Sequence, residues 1–209
     1  MKEQIPNHSS LKDLCDELVQ EKYINSKKVY DVLMKVDRAD FAPTCPYQDF
    51  PQPIPCNTVI SDPCLHAYSL EVLKDFLKPG NKVLDVGSGS VYLTLAMSKM
   101  MNDEGCDIGI DHINELISFG IQNISKHHKN LIDNKRIKFI LGEGNNGCIQ
   151  EAPFDCIHVG VVAENPPNAL LNQLKVGGRM IMPLHNNGNQ FIYIIDRKGE
   201  DNFDVHQGL

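Results

Sequence analysis

The chain lacks the features that mark several common protein classes. None of its seven cysteines (15, 45, 56, 64, 106, 148 and 156) stands in a CxxC pair, and the odd, scattered set supports neither a disulfide framework nor a zinc site. No metal centre is expected. No stretch approaches the ~18 apolar residues of a membrane span, and Met1-Lys2-Glu3-Gln4-Ile5-Pro6 contains no apolar signal core. A cytoplasmic protein without membrane contact, in a reducing compartment, is the expectation. There is no basic run, and a net charge of −7 argues against nucleic acid as the main partner. Small molecules or peptides suit this balance better. Repeats and low-complexity tracts are missing too, and the Asn123-Ile124-Ser125 sequon, set in a helical pattern, is read as idle.

What is present divides near residue 62. At 209 residues the chain fits a single compact domain that buries roughly 70% of its unfolded surface. Residues 1–62 are read as N-terminal helices and a long loop, and 63–209 as a nucleotide-binding sheet domain. After Ser9-Ser10, residues 9–22 place Leu11, Leu14, Cys15, Leu18 and Val19 on one helical face, and Val29, Val32, Leu33 and Val36 repeat the pattern after Ser26. Residues 37–62 carry Pro43, Pro46, Pro51, Pro53 and Pro55 among aromatic and apolar residues, the composition of an ordered lid. Ser61-Asp62-Pro63 signals a helix start, and Leu65, Tyr68, Val72, Leu73 and Phe76 then recur at helical spacing.

From there strands alternate with helices. Strands are expected at 82–86, 107–110, 137–141, 154–159, 178–182 and 190–195, with helices from Tyr92, over 112–127 and over 168–174. The pattern specifies an α/β fold, a doubly wound, mostly parallel sheet with ligands at the carboxyl ends of its strands.

Val83-Leu84-Asp85-Val86-Gly87-Ser88-Gly89-Ser90 reads as a buried strand that ends in an acid and breaks into a glycine turn before a helix. The dinucleotide fingerprint GxGxxG fails at its third position, Tyr92, which disfavours NAD. Asp111 closes the next strand, 22 residues after Gly89, where a carboxylate can take both ribose hydroxyls. Asp85, beside the turn, suits a cofactor with cationic groups, and S-adenosylmethionine carries an ammonium and a sulfonium.

At this point the chain resembles the protein-L-isoaspartate O-methyltransferase family from about Leu11 to its last residues. The shared motifs are Asp37-Arg38 with Phe41, Pro46-Tyr47-Gln48-Asp49, Pro51-Gln52-Pro53-Ile54, Thr58-Val59-Ile60-Ser61, His66-Ala67, Asp85 to Ser90, Gly109-Ile110-Asp111-His112, Ala152-Pro153-Phe154-Asp155, Ile157-His158-Val159-Gly160, and Gln173-Leu174 leading to Gly177-Gly178-Arg179. The resemblance implies a Rossmann-like methyltransferase sheet with an N-terminal helical segment. It implies a monomeric repair enzyme that moves a methyl group from S-adenosylmethionine to the free carboxylate of L-isoaspartyl residues in damaged proteins and peptides, leaving S-adenosylhomocysteine. It also implies site residues. Ser61 is the active-site serine, with a helix N-cap as its plainer reading, and Thr58, Val59, Ile60, Ser61 and His66 lie against the cofactor. Gly87 and Gly89 form the cradle, Ser90 holds the amino-acid end of the cofactor and Asp85 acts on it electrostatically. Asp111 with His112 takes the ribose, and Glu143 with Gly144 lies near the adenine. Asp155 and His158 are read as structural, His158 as a satisfied core histidine.

The chain departs from the family pattern in several places. Pro55-Cys56 replaces a glycine-rich stretch, Asp62 an alanine, Cys64 a histidine, Val91 a glycine and Glu143 an aspartate. Asp62 is expected to repel the substrate carboxylate, and Val91 to crowd the methionine end of the cofactor. The family's final strand, which carries a threonine near the substrate, extends past the position of Leu209, so an open sheet edge is expected there. A diverged S-adenosylmethionine-binding module and a nicotinamide oxidoreductase are the alternatives. Asn146-Gly147 and Asn187-Gly188 are sequences that form succinimides when flexible.

Overall fold

The computed structural model describes residues 8–186 and 188–209, so the N-terminal run and the Asn187 site read above lie outside the described residues. Helix α1 (Leu11–Gln20) begins where the Ser10 side chain accepts from the Asp13 amide, and α2 (Lys27–Leu33) where Ser26 accepts from Val29. Leu14, Cys15, Leu18, Val29, Val32, Leu33 and Val36 are buried. Val19 is not part of that face, being 43% exposed on the solvent side of α1.

The loop of residues 37–62 contains three short elements that its sequence does not announce. Arg38–Asp40 forms a 3-10 turn capped by Asp37, and β1 (Gln52–Ile54) pairs antiparallel with β2 (Thr58–Ile60). Three residues per strand are too few for a period-two pattern to register. Phe41, Ala42, Ile54 and Ile60 join the same buried cluster as α1 and α2, so the loop is part of the core.

Helix α3 (Pro63–Leu73) has Asp62 in the N-cap position, with no side-chain cap bond, and Pro63 in its first turn. Ser61 therefore precedes the cap, and its N-cap reading is overturned. Of the expected face, Leu73 is buried but Leu65, Tyr68, Val72 and Phe76 are only half-buried; the most buried stripe, His66, Ala67, Leu70 and Leu73, lies one step around the helix. Packing against α2 and against the sheet covers α3 on more than one side.

The main sheet comprises β3 (Lys82–Val86), β4 (Cys106–Asp111), β5 (Ile137–Leu141), β6 (Phe154–Val159), β7 (Leu174–Asn186), β8 (Asn189–Arg197) and β9 (Phe203–Gln207). Their order is β5-β4-β3-β6-β7-β8-β9; the first five run parallel and the last two antiparallel. Helices α4 (Tyr92–Met100), α5 (Asn114–Ser125), α6 (Lys129–Asp133) and α7 (Asn168–Gln173) make the connections. α6 and β9 were not expected from the sequence. β9 is an edge strand whose residues are mostly exposed, and its apolar alternation is confined to Phe203 and Val205, too short to register. It covers the edge of β8 that the sequence left open, and Gly208 and Leu209 continue the pairing with Ile192.

One buried cluster lies on the α2–α4 side of the sheet, around Val83, Cys156 and Ile181; the other holds Leu84, Val86, Ile108, Ile157 and Met180. From β3 the chain moves outward to β4 and β5, then returns to place β6 on the opposite side of β3. The crevice between the carboxyl ends of β3 and β6 is thus the topological switch point, where ligands bind in such sheets.

Candidate active site

Parallel pairing sets Asp85 opposite His158 at that crevice, and the glycine turn follows directly. Gly87 has φ +75°, and a β-carbon there would come 2.8 Å from Cγ1 of Val161, so glycine is required by conformation and by space. The Gly87 and Ser88 amides donate to the Ile110 carbonyl at 2.9 and 3.1 Å, and the Gly89 amide donates to Asp111 Oδ2 at 3.1 Å. Asp111 Oδ1 accepts from the Ile113 amide at 3.1 Å. These bonds stitch the turn to the end of β4.

Of the expected site residues, Val59, Ile60, Ser61, His66, Asp85, Gly87, Gly89 and Ser90 line one cleft. Ser88, Leu93, His158 and Gly160 line it too and were missed. A second cavity runs on toward Ser69, Ile181 and Met182, and the two share Ser61, His66, His158 and Gly160. No hydrogen-bond partner engages the Ser61 hydroxyl among the described residues.

Thr58 is not brought into this lining. Its hydroxyl donates to the Pro55 carbonyl at 2.9 Å and closes the hairpin turn. Asp111, His112, Glu143 and Gly144 stand outside the inner cleft, at the adjoining carboxyl ends of β4 and β5. Asp111 is buried, whereas the His112 ring is mostly exposed, 3.7 Å from it, and Glu143 is exposed. Gly144 approaches β3 so closely that a β-carbon would lie 2.5 Å from Cγ1 of Val86.

Asp85 is held from two sides. Thr94 Oγ1 donates to its Oδ2 at 2.6 Å, and Nδ1 of His158 lies 2.8 Å from its Oδ1. His158 is thus the satisfied buried histidine expected, and a cleft residue as well. Its register with Asp85 becomes visible only once β6 is known to lie beside β3. Ser90 Oγ accepts from the Tyr92 amide at 3.4 Å, which ties the turn to α4. Asp155 has the structural role expected of it, accepting from the Lys82 amide at 2.9 Å and from Lys175 at 2.8 Å.

Burial, together with Arg38 and His158, holds His66 well below the usual histidine range, so its ring is neutral. The Cys64 thiol is pushed up by burial and by Asp62 and Asp49, which makes it a poor nucleophile. The site therefore has no activated nucleophile. Its shape provides a glycine cradle, two fixed acids and an unengaged serine hydroxyl, which fits a nucleoside cofactor bearing an amino-acid end.

Two expectations about the departures need correction. Val91 adopts φ +63°, ψ +17° and is completely buried, but its side chain does not line the cleft. It points at α5, where a β-carbon on Gly120 would come 2.6 Å from its Cγ1. Crowding of a cofactor by Val91 is thereby removed. Asp62 is half-buried and lines neither cavity, so its influence on a ligand acts through space.

The profile of the protein-L-isoaspartate(D-aspartate) O-methyltransferase family matches residues 9–208. The chain is 40% identical over 190 residues to a protein-L-isoaspartate O-methyltransferase of Caenorhabditis elegans, a match spanning 90% of this chain and 84% of that one. It is 40% identical over 195 residues to the protein of the same name in Triticum aestivum, across 92% of this chain and 84% of the other. A crystal structure from Plasmodium falciparum, assigned as a protein-L-isoaspartate O-methyltransferase and in complex with S-adenosyl-L-homocysteine, superimposes with a TM-score of 0.90 at 31% identity, over 97% of this chain and 96% of that one.

Proposed function

This chain belongs to the protein-L-isoaspartate(D-aspartate) O-methyltransferase family, and from that premise we propose that its paired cavities carry out methyl transfer to isoaspartyl carboxylates. The enzyme uses S-adenosylmethionine, which when bound supplies an electrophilic methyl group, and its substrates are L-isoaspartyl residues of damaged proteins and peptides. The observation that carries the assignment of the site is the position of Ser61, free-handed at the junction of the two cavities. One cavity runs along the glycine turn and suits the amino-acid end of the cofactor. The other opens toward β7 and suits the incoming carboxylate.

A carboxylate with a pKa near ~4 is already ionised at neutral pH. The protein needs no general base, which agrees with the absence of an activated nucleophile in the cleft. Its work is orientation and exclusion of water. Ser61 donates to the substrate carboxylate and steers one oxygen toward the methyl group. Asp85, locked by Thr94 and His158, places negative charge under the cationic end of the cofactor. Asp111, already fixed by two backbone amides, has lone pairs left for the ribose hydroxyls, with His112 beside it, and Glu143 and Gly144 border the adenine. We read the enzyme as a cytoplasmic monomer that engages neither nucleic acid nor membrane, a reading supported by its free cysteines and acidic balance.

Labelled methyl transfer to an isoaspartyl peptide and to its aspartyl twin tests the proposal. Strong labelling of the first alone is expected; equal labelling would sink it. Ser61→Ala should lower kcat/KM by about 100–1000-fold, the range for loss of one oriented donor, while leaving affinity for S-adenosylhomocysteine nearly unchanged.

A further inference from the structure

Arg38 lies in the 3-10 turn after α2 and exposes none of its surface. A guanidinium is costly to bury, so its contacts reveal what it holds. Nη2 donates to the Ser61 carbonyl at 2.6 Å, and Nη1 lies 3.0 Å from Nδ1 of His66. The guanidinium carbon is 5.3 Å from the centre of the Tyr92 ring, and the His66 ring packs on the same tyrosine at 5.1 Å. One side chain thereby ties together the segment before α3, the first turn of α3 and the start of α4.

The contact with His66 has a definite polarity. Guanidinium nitrogens only donate, so Nδ1 of His66 is the acceptor and carries no proton. In a neutral imidazole the proton then resides on Nε2. Nothing among the described residues accepts from Nε2, and His66 lines both cavities.

We propose that Arg38 is a positioning residue of the methyl-transfer site: it locks His66 in the tautomer that donates from Nε2 into the cleft, toward a carboxylate oxygen, and pins the backbone at Ser61. The inference rests on the reading of this cleft as the methyl-transfer site and deepens it. The accepting carboxylate is that of the isoaspartyl substrate or that of the cofactor's amino-acid end, and the two are separable. Lysine cannot replace the arginine, because a single ammonium does not offer two donors in a rigid fork to Ser61 and His66 at once.

Nitrogen-15 histidine spectra of the unmodified full chain give the first test. His66 should show a bare Nδ1 and a protonated Nε2 from about pH 5 to pH 9, without titrating. A proton on Nδ1, or a His66 that titrates in that window, overturns the proposal. This readout needs no turnover, so it stands or falls separately from the methyltransferase reading.

Arg38→Lys gives the second test. If the cofactor supplies the acceptor, affinity for S-adenosylhomocysteine measured by calorimetry should fall about tenfold; if the substrate supplies it, the peptide KM should rise about tenfold. Either result supports the proposal and names the source, whereas a folded variant with both constants unchanged overturns it. Should Arg38→Lys fail to fold, His66→Gln and His66→Leu decide. A glutamine amide can accept from Arg38 and donate into the cleft, so it should keep the binding that leucine loses; equal loss in both overturns the proposal.

Discussion

The side chain of Val91 fills the space in which Gly120 would need a β-carbon, its Cγ1 lying 2.6 Å from that position. Val91 also holds the left-handed conformation that a glycine would adopt without strain. The two residues form a steric pair across the α4–α5 boundary: a large side chain at a position suited to glycine, and a glycine inside a helix suited to alanine. Gly120→Ala alone should destabilise the protein by about 1–3 kcal/mol through overpacking. In a Val91→Gly background the same change should stabilise it by roughly 1 kcal/mol, the gain from alanine over glycine in a helix. Urea denaturation of the two single variants and the double variant measures the coupling, and additive effects would refute the pairing.

Asp107 is fully buried on β4, and neither carboxylate oxygen has a hydrogen-bond partner among the described residues. Burial, with Asp85 and Asp103 nearby, holds its carboxyl well above the usual range, and the Ser98 hydroxyl offsets this only in part. The folded protein therefore keeps a proton that the unfolded chain releases near pH ~4. Above that pH the unfolded state binds fewer protons, so stability falls as pH rises, by at most about 1.4 kcal/mol per unit, until Asp107 ionises in the fold. Asp107→Asn removes this slope. It should match the parent near pH ~4 and be the more stable of the two at neutral pH, in thermal or urea melts at both pH values; an unchanged slope would contradict the assignment.

How much of this was legible beforehand follows the range of each signal. The strand, glycine turn and helix at 82–100 are local, and the chain announces them; so are the caps at Ser10 and Ser26. The roles of Arg38 and His158 depend on partners 28 and 73 residues away, which no periodicity encodes. Arg38 stands in the Asp37-Arg38 motif that carried the family resemblance, and this was the one available hint. Val91 illustrates the same limit: its sequence neighbours belong to the cofactor turn, whereas its conformation aims the side chain at a helix 29 residues further on.

Asn146-Gly147 is a fragile sequence that the fold restrains. Gln173 donates from Nε2 to the Asn146 carbonyl at 2.8 Å and accepts from the Cys148 amide at 2.7 Å, while the Gly147 amide donates to Gly144 at 3.0 Å. Succinimide formation requires the Gly147 nitrogen to attack the Asn146 side chain, and that nitrogen is occupied in a fixed backbone. Gln173→Ala releases both anchors. It should destabilise the fold by about 1–3 kcal/mol and make isoaspartate accumulate at residue 146 on ageing, as followed by mass spectrometry of peptides from parent and variant. Equal rates in the two proteins would show that Gln173 gives no protection.

Asp62 places a carboxylate at the N-terminus of α3, next to Ser61, where the helix end would otherwise favour an anion. It lines neither cavity, so any penalty on a substrate carboxylate is electrostatic, about 1 kcal/mol at close range. Asp62→Ala should lower the peptide KM up to about fivefold with the cofactor constant unchanged. The charge also titrates. Burial and the neighbouring Asp49 push the Asp62 carboxyl above its usual value. As pH falls through that raised value the parent loses the negative charge, while the substrate carboxylate, with its ordinary lower pKa, stays ionised. The parent's KM should then converge on that of the variant as pH falls and diverge from it as pH rises. KM values measured for both proteins across pH 5 to 8.5 check this, and curves that run parallel would rule out the repulsion.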